Sequence, residues 1–190
     1  MAQNGPNLDV LPPVSRFLVR RRTFFSWALP LVLLVVAAPW GPLMLPGAML
    51  VVLGSATRVW AAGHLLKSER LAVDGPFAYV RNPLYLGSLL ILLGYCTLSG
   101  RAWSYPVFLG LFALFYFPTI KWEEGFLGGK FGEEYQDYRR RVPYRLIPRL
   151  SPAYPTGTGF SWAQARRNGE LSGVALAVIM ILLFYLRLVM

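Results

Sequence analysis

The sequence predicts an all-α, polytopic membrane helical bundle with about five transmembrane helices. Three observations lead there. Of 190 residues, 55% are hydrophobic and only 15% charged, against about 25% charged in an ordinary soluble domain; the mean hydropathy is +0.46. Four stretches carry no charge at all: residues 23–57, 82–100, 102–120 and 171–186. The remaining charges sort by side of a membrane. The composition excludes a disordered chain, which needs low hydrophobicity, and argues against a nucleic-acid binder despite a formal net charge of +10. Cys96 is the only cysteine, so neither an intrachain disulfide nor a cysteine-based metal site is expected.

One straight helix over residues 23–57 would run about 52 Å, too long for a hydrocarbon core of about 30 Å. Pro39-Trp40-Gly41-Pro42 and Pro46-Gly47 read as a turn within it, giving spans near 24–40 and 46–65. Residues 82–100 and 102–120 make the third and fourth spans. Residues 171–190 make the fifth, with Arg187 reaching back to the interface. Arg21-Arg22 before an apolar run resembles a twin-arginine export signal. The long run and the spans that follow favour an uncleaved first anchor. Residues 1–22 then form an N-terminal tail, and residues 23–190 a single membrane domain.

With the N-terminus in the cytoplasm, seventeen of the 19 basic residues fall on that side, leaving Arg101 and Arg187 opposite. This is a strong positive-inside signal. All 9 acids share the cytoplasmic side, so polar chemistry is expected there.

Two segments on that side carry chemical information. The first runs from Gly75-Pro76 to Arg81-Asn82-Pro83-Leu84-Tyr85-Leu86-Gly87. Asn82-Pro83 reads as a helix start, with Asn as cap and Pro at the first helical position. Its positive end and Arg81 suit an anion. The second begins at Glu123-Glu124 and runs through Phe131-Gly132 and Tyr135 to Tyr138 and Val142-Pro143. Adjacent carboxylates at a membrane boundary require a cation or hydroxyl opposite. On a helix, Glu124, Leu127, Phe131, Tyr135 and Tyr138 share one face. Read singly, these residues better suit a helix cap, an aromatic belt and an interfacial helix than a site. Arg58 and His64, late in the second span, suit a cavity or an internal partner.

Together the two segments resemble the signatures of the isoprenylcysteine carboxyl methyltransferase and phospholipid N-methyltransferase superfamily. The first is similar to Gly-Pro-aromatic-x-x-x-Arg-His-Pro-x-Tyr-x-Gly, read here from Gly75 to Gly87. The second is similar to Glu-Glu, Leu, Phe-Gly-x-x-Tyr-x-x-Tyr and Val-Pro. The resemblance covers roughly residues 58–148. One position departs: Asn82 replaces the family histidine. It keeps capping and hydrogen bonding but takes no proton near neutral pH, so an acid–base duty does not carry over.

The resemblance implies S-adenosylmethionine as cofactor, bound at the cytoplasmic end of the bundle under the segment between the fourth and fifth spans. It implies methyl transfer to a lipid-like or hydrophobic acceptor, a carboxylate, amine or thiol, reaching the site from the bilayer. Arg81, Glu124 and Arg141 are the expected catalytic residues. Tyr79, Asn82, Pro83, Tyr85, Gly87, Glu123, Glu124, Tyr135 and Tyr138 are expected around the cofactor, and Arg58, His64 and Arg145 around the substrate. No metal and no nucleic acid is expected. The compact build suggests a bacterial inner membrane. Two other classes stay open: a membrane-embedded NADPH-dependent reductase of related helical architecture, and a non-enzymatic membrane scaffold.

Overall fold

The computed structural model describes residue 16 and residues 28–65, 70–156 and 159–190. The expected tail apart from residue 16, and the start of the first span, lie outside these. Among the described residues the chain is all helical. It forms α1 (28–36), α2 (Gly41–His64), a 3-10 turn (Gly75–Ala78), α3 (Pro83–Ser99), α4 (Ser104–Arg141), α5 (Trp162–Arg167) and α6 (Glu170–Val189).

Two of these, α2 and α6, are long and apolar enough to cross a membrane; α3 is apolar and 17 residues long. The all-helical expectation is met among the described residues, whereas two helices, not five, have spanning length and composition. Their outer faces are aliphatic: Leu45 and Val52 on α2 and Leu182 and Leu186 on α6 are all exposed. The core lies between the helices, where Leu33, Val51, Leu98, Phe108, Phe112, Met180 and Phe184 pack together.

The turn expected over residues 39–47 is shorter. Only 37–40 is non-helical, and α2 begins at Gly41. Pro42 sits in the first turn, where a missing N–H has no partner to lose. Pro46 lies inside the helix and forfeits one bond near its start. Gly47 belongs to a helix contact: a Cβ there would sit 2.8 Å from Leu98 Cγ. Gly54 repeats this one heptad on, where a Cβ would stand 2.5 Å from the Gly87 carbonyl. The glycines let α2 and α3 approach backbone to backbone, in the small-residue mode of membrane helix pairs.

The expected face of α4 is the inward one. Glu124, Tyr135 and Tyr138 are buried and Leu127 and Phe131 half-buried. The helix is not straight: Gly132 has φ 53° and ψ −120°, a conformation open to glycine and strained for other residues. The break turns Tyr135 back toward Gly128. Gly132→Ala is expected to lower stability by roughly 1–3 kcal/mol and to shift Tyr135 and Tyr138. A denaturation midpoint in detergent, with tyrosine exposure followed by absorbance, checks both.

At the opposite end of the bundle, Arg101 and Arg187 bond α1's last carbonyls. Arg101 Nε donates to Val36 O at 3.1 Å, and Arg187 to Ala37 O and Val35 O, each at 3.1 Å. They serve as C-terminal caps. An apolar groove of about 610 Å³ opens beside them between α1 and α6, with Arg187 its single charged lining residue.

Candidate active site

Two stretches far apart in sequence are held side by side by their backbones. Arg81 N donates to Tyr144 O and Asn82 N to Arg145 O, each at 3.1 Å; Arg149 N donates to Tyr79 O and Ala153 N to Ala78 O, each at 2.9 Å. The chain thus leaves α4 at Val142-Pro143 and runs back along the first signature. The Tyr138 hydroxyl donates to Phe77 O at 2.9 Å, pinning the kinked end of α4 to the 3-10 turn.

This arrangement gathers charge around Glu124. The Asn82 amide donates to Glu124 Oε1 at 3.2 Å. Arg145 Nε donates to Oε2 at 2.9 Å. Arg81 Nε lies 3.2 Å from Oε1, yet its N–H is not aimed at that oxygen and has no hydrogen-bond acceptor. The pair is an ion contact rather than a charge-assisted hydrogen bond. Glu124 and Arg81 are buried, while the Arg145 side chain is 40% exposed. Two guanidiniums against one carboxylate leave one net positive charge.

Asn82 departs from its expected role. It precedes the first helical residue but makes no side-chain cap. Its amide turns to Glu124 instead, so the start of α3 faces a carboxylate supplied by α4.

Beside this cluster is a cavity of about 80 Å³, lined by residues that include Leu71, Phe77, Arg81, Asn82, Phe131 and Tyr135. The Tyr135 hydroxyl is buried without a hydrogen-bond partner. Burial, then the Glu124 charge, pushes its pKa up to about 12, so it stays a protonated donor at working pH. Burial also pushes Tyr138 far up.

The other expected residues sit elsewhere. Pro83 is the buried first residue of α3. Tyr85 packs edge-on against Tyr116, and Tyr79 tilts against Trp60. Gly87 meets Gly54 and the Arg58 stem. Glu123 is half-buried. Arg141 is exposed and pairs with Asp137 one helical turn away, at 2.9 Å. Its guanidinium also lies over the Tyr154 ring, and no hydrogen bond or ion pair among the described residues joins it to the Glu124 cluster.

Arg58 and His64 are internal. Arg58 holds Glu170 through Nε at 2.9 Å and a terminal nitrogen at 2.7 Å, and donates to Ser88 Oγ at 2.6 Å. It ties α2 to α6 and α3. His64 is buried, its Nδ1 2.9 Å from Trp60 O, against Phe160 and the Gly75 turn. Sequence reasoning missed Glu170. The signal was present: it is an acid at the edge of the last span, and Arg58 is the one arginine within the second.

Residues 43–134 match the family described as phospholipid methyltransferase. The chain is 36% identical over 113 residues to a cobalt-zinc-cadmium resistance protein of Cupriavidus metallidurans, covering 58% of this chain and 51% of that one. It is 37% identical over 92 residues to the protein-S-isoprenylcysteine O-methyltransferase of Schizosaccharomyces pombe, covering 45% and 39%. It is 37% identical over 82 residues to a delta(14)-sterol reductase of Mus musculus, covering 42% and 19%. The chain thus spans about half, or less, of these relatives' lengths. No solved structure matches it. The superfamily resemblance carried by the two signatures is borne out by the family match and the isoprenylcysteine methyltransferase match.

Proposed function

We propose, from that superfamily match over residues 43–134, that the chain is an S-adenosylmethionine-dependent methyltransferase acting on a hydrophobic or lipid-like acceptor. Its helices α1, α2, α3, the first half of α4, and α6 cross a bacterial inner membrane, with the Glu124 end in the cytoplasm. The observation that carries the reading is the convergence of both signatures on one buried carboxylate, Glu124, beside a cavity.

The residues present fit the cofactor's amino-acid end. Glu124 is an anion for an ammonium, and Arg81 and Tyr135, which line the cavity, each carry a buried donor without a hydrogen-bond partner. At about 80 Å³ the cavity admits such an end group, while whole small-molecule pockets measure roughly 300–1,000 Å³.

The cofactor supplies a methyl group already activated on a sulfonium. The chain's work is binding, alignment and exclusion of water. Tyr138 and the 3-10 turn hold α4 against the first signature. Arg145, partly exposed, is placed to orient an anionic acceptor. A carboxylate or thiolate acceptor needs no base; for an amine, Glu124 is the nearest carboxylate able to take a proton.

Incubating the purified chain with methyl-labelled S-adenosylmethionine and a total lipid extract tests this. Label is expected in an organic-phase product. Label confined to the aqueous phase, with every lipid class unmodified, contradicts a hydrophobic acceptor. The sterol reductase match supports a second reading, an NADPH-dependent reductase, which cofactor binding separates.

A further inference from the structure

We propose that residues 144–150 form a lipid-seated edge of the protein: Tyr144, Ile147 and Leu150 enter the headgroup–acyl boundary of the cytoplasmic leaflet, and the arginines around them meet its anionic headgroups. The inference rests on the membrane-crossing reading above and adds a docking surface to it.

The first observation is exposure. Val142 is fully buried, and Leu146 packs on the bundle core. Tyr144 and Ile147, on either side of Leu146, are exposed, and Leu150 is wholly so. A scattered exposed leucine is ordinary. Three large apolar side chains turned out of one short loop, while Leu146 turns in, mark a contact surface. The loop is also held in place. The carbonyls of Tyr144 and Arg145 accept from Arg81 and Asn82, and Arg149 N donates to Tyr79 O.

The second observation is depth. Run straight, the part of α4 beyond residue 120 would carry the chain roughly 30 Å from the end of its apolar stretch. The break at Gly132 brings it back, and Arg145 reaches Glu124 at 2.9 Å. The backbone bonds to Arg81 and Asn82 set the loop beside the start of α3. It is thus level with the ends of two charge-free stretches, 82–100 and 102–120, where the interface of a bilayer lies.

The third is charge. Residues 138–169 contain seven arginines and no Lys, Asp or Glu. Arg145 is engaged by Glu124 and Arg141 by Asp137, while Arg139 and Arg140, just before the loop, are exposed. Aliphatic and aromatic tips beside arginines suit an anionic membrane surface. A soluble acidic protein would answer the arginines equally, but it does not account for the depth.

Spin labels on single added cysteines test this, with the full chain in nanodiscs of phosphatidylcholine and phosphatidylglycerol. Cys96 is buried, so the unsubstituted chain sets the background. Ile147→Cys and Leu150→Cys put labels on the loop. Glu133→Cys, exposed beside the α4 break, is the aqueous reference, and Val52→Cys, exposed on α2, the lipid reference. Loop labels are expected to collide more with oxygen than with a water-soluble nickel chelate, as at position 52 and the reverse of position 133. Omitting phosphatidylglycerol, or combining Arg139→Gln with Arg140→Gln, should shift both loop labels toward water and leave position 52 unchanged. Loop labels as open to the chelate as position 133 overturn the proposal and leave the patch to a protein partner. Immersion indifferent to both phosphatidylglycerol and the two arginines overturns the anionic-lipid assignment. A label at position 52 that is open to the chelate contradicts the membrane-crossing reading itself, a distinct outcome.

Discussion

Glu170→Ala lowers the stability of the folded chain by about 3 kcal/mol, the low end of the range for breaking a buried ion pair. The low end applies because the Arg58 side chain is 30% exposed while Glu170 is 9%. The substitution leaves a guanidinium between α2, α3 and α6 with only Ser88 Oγ and the Leu84 carbonyl to satisfy it. The shift is read as a denaturation midpoint in detergent. Replacing Arg58 and Glu170 together by apolar residues should recover much of the loss, since the unpaired charge is then gone. A single-variant change below about 0.5 kcal/mol, the scale of an ordinary surface substitution, would show that α6 is held by apolar packing alone.

Glu124→Ala has the larger functional effect. It leaves Arg81 and Arg145 with no shared anion, and Arg81, only 6% exposed in its side chain, cannot turn to water. A loss of about 3 kcal/mol is expected, with S-adenosylmethionine binding abolished. Glu124→Gln separates the two consequences. The amide keeps an acceptor for Asn82 and nearly the same volume, so most stability returns. It carries no charge for an ammonium, so binding stays at least about tenfold weaker. Recovery of wild-type affinity in Glu124→Gln would show that shape, not charge, is what Glu124 supplies.

Much of this was legible in the sequence. The charge-free gaps located α2, α3 and α6, and the first half of α4, because an apolar run bounded by charges has few alternatives to a buried or lipid-facing helix. The 3, 4, 4, 3 spacing from Glu124 to Tyr138 located the inward face of α4. Other features depend on partners distant in the chain. Pro46-Gly47 carries a turn signal, but Gly47 is where α3 crosses, and packing overrides the local preference. Asn82 has the residue type and position of a cap, yet a buried carboxylate 42 residues on takes its amide. Arg141 is expected among the catalytic residues from the motif, yet in the fold its partners are Asp137 and the Tyr154 ring. Roles among Arg81, Arg145 and Tyr135 are likewise invisible in spacing alone, since they depend on which donors are left without acceptors after folding.

The central claim is that the cluster around Glu124 is a methyl-donor site. Calorimetric titration of the purified chain, in parallel with S-adenosylmethionine and with NADPH, tests it most directly. The account predicts saturable binding of S-adenosylmethionine that is lost in Glu124→Ala, and no saturable binding of NADPH. Saturable NADPH binding, with S-adenosylmethionine giving no heat beyond dilution, would contradict it.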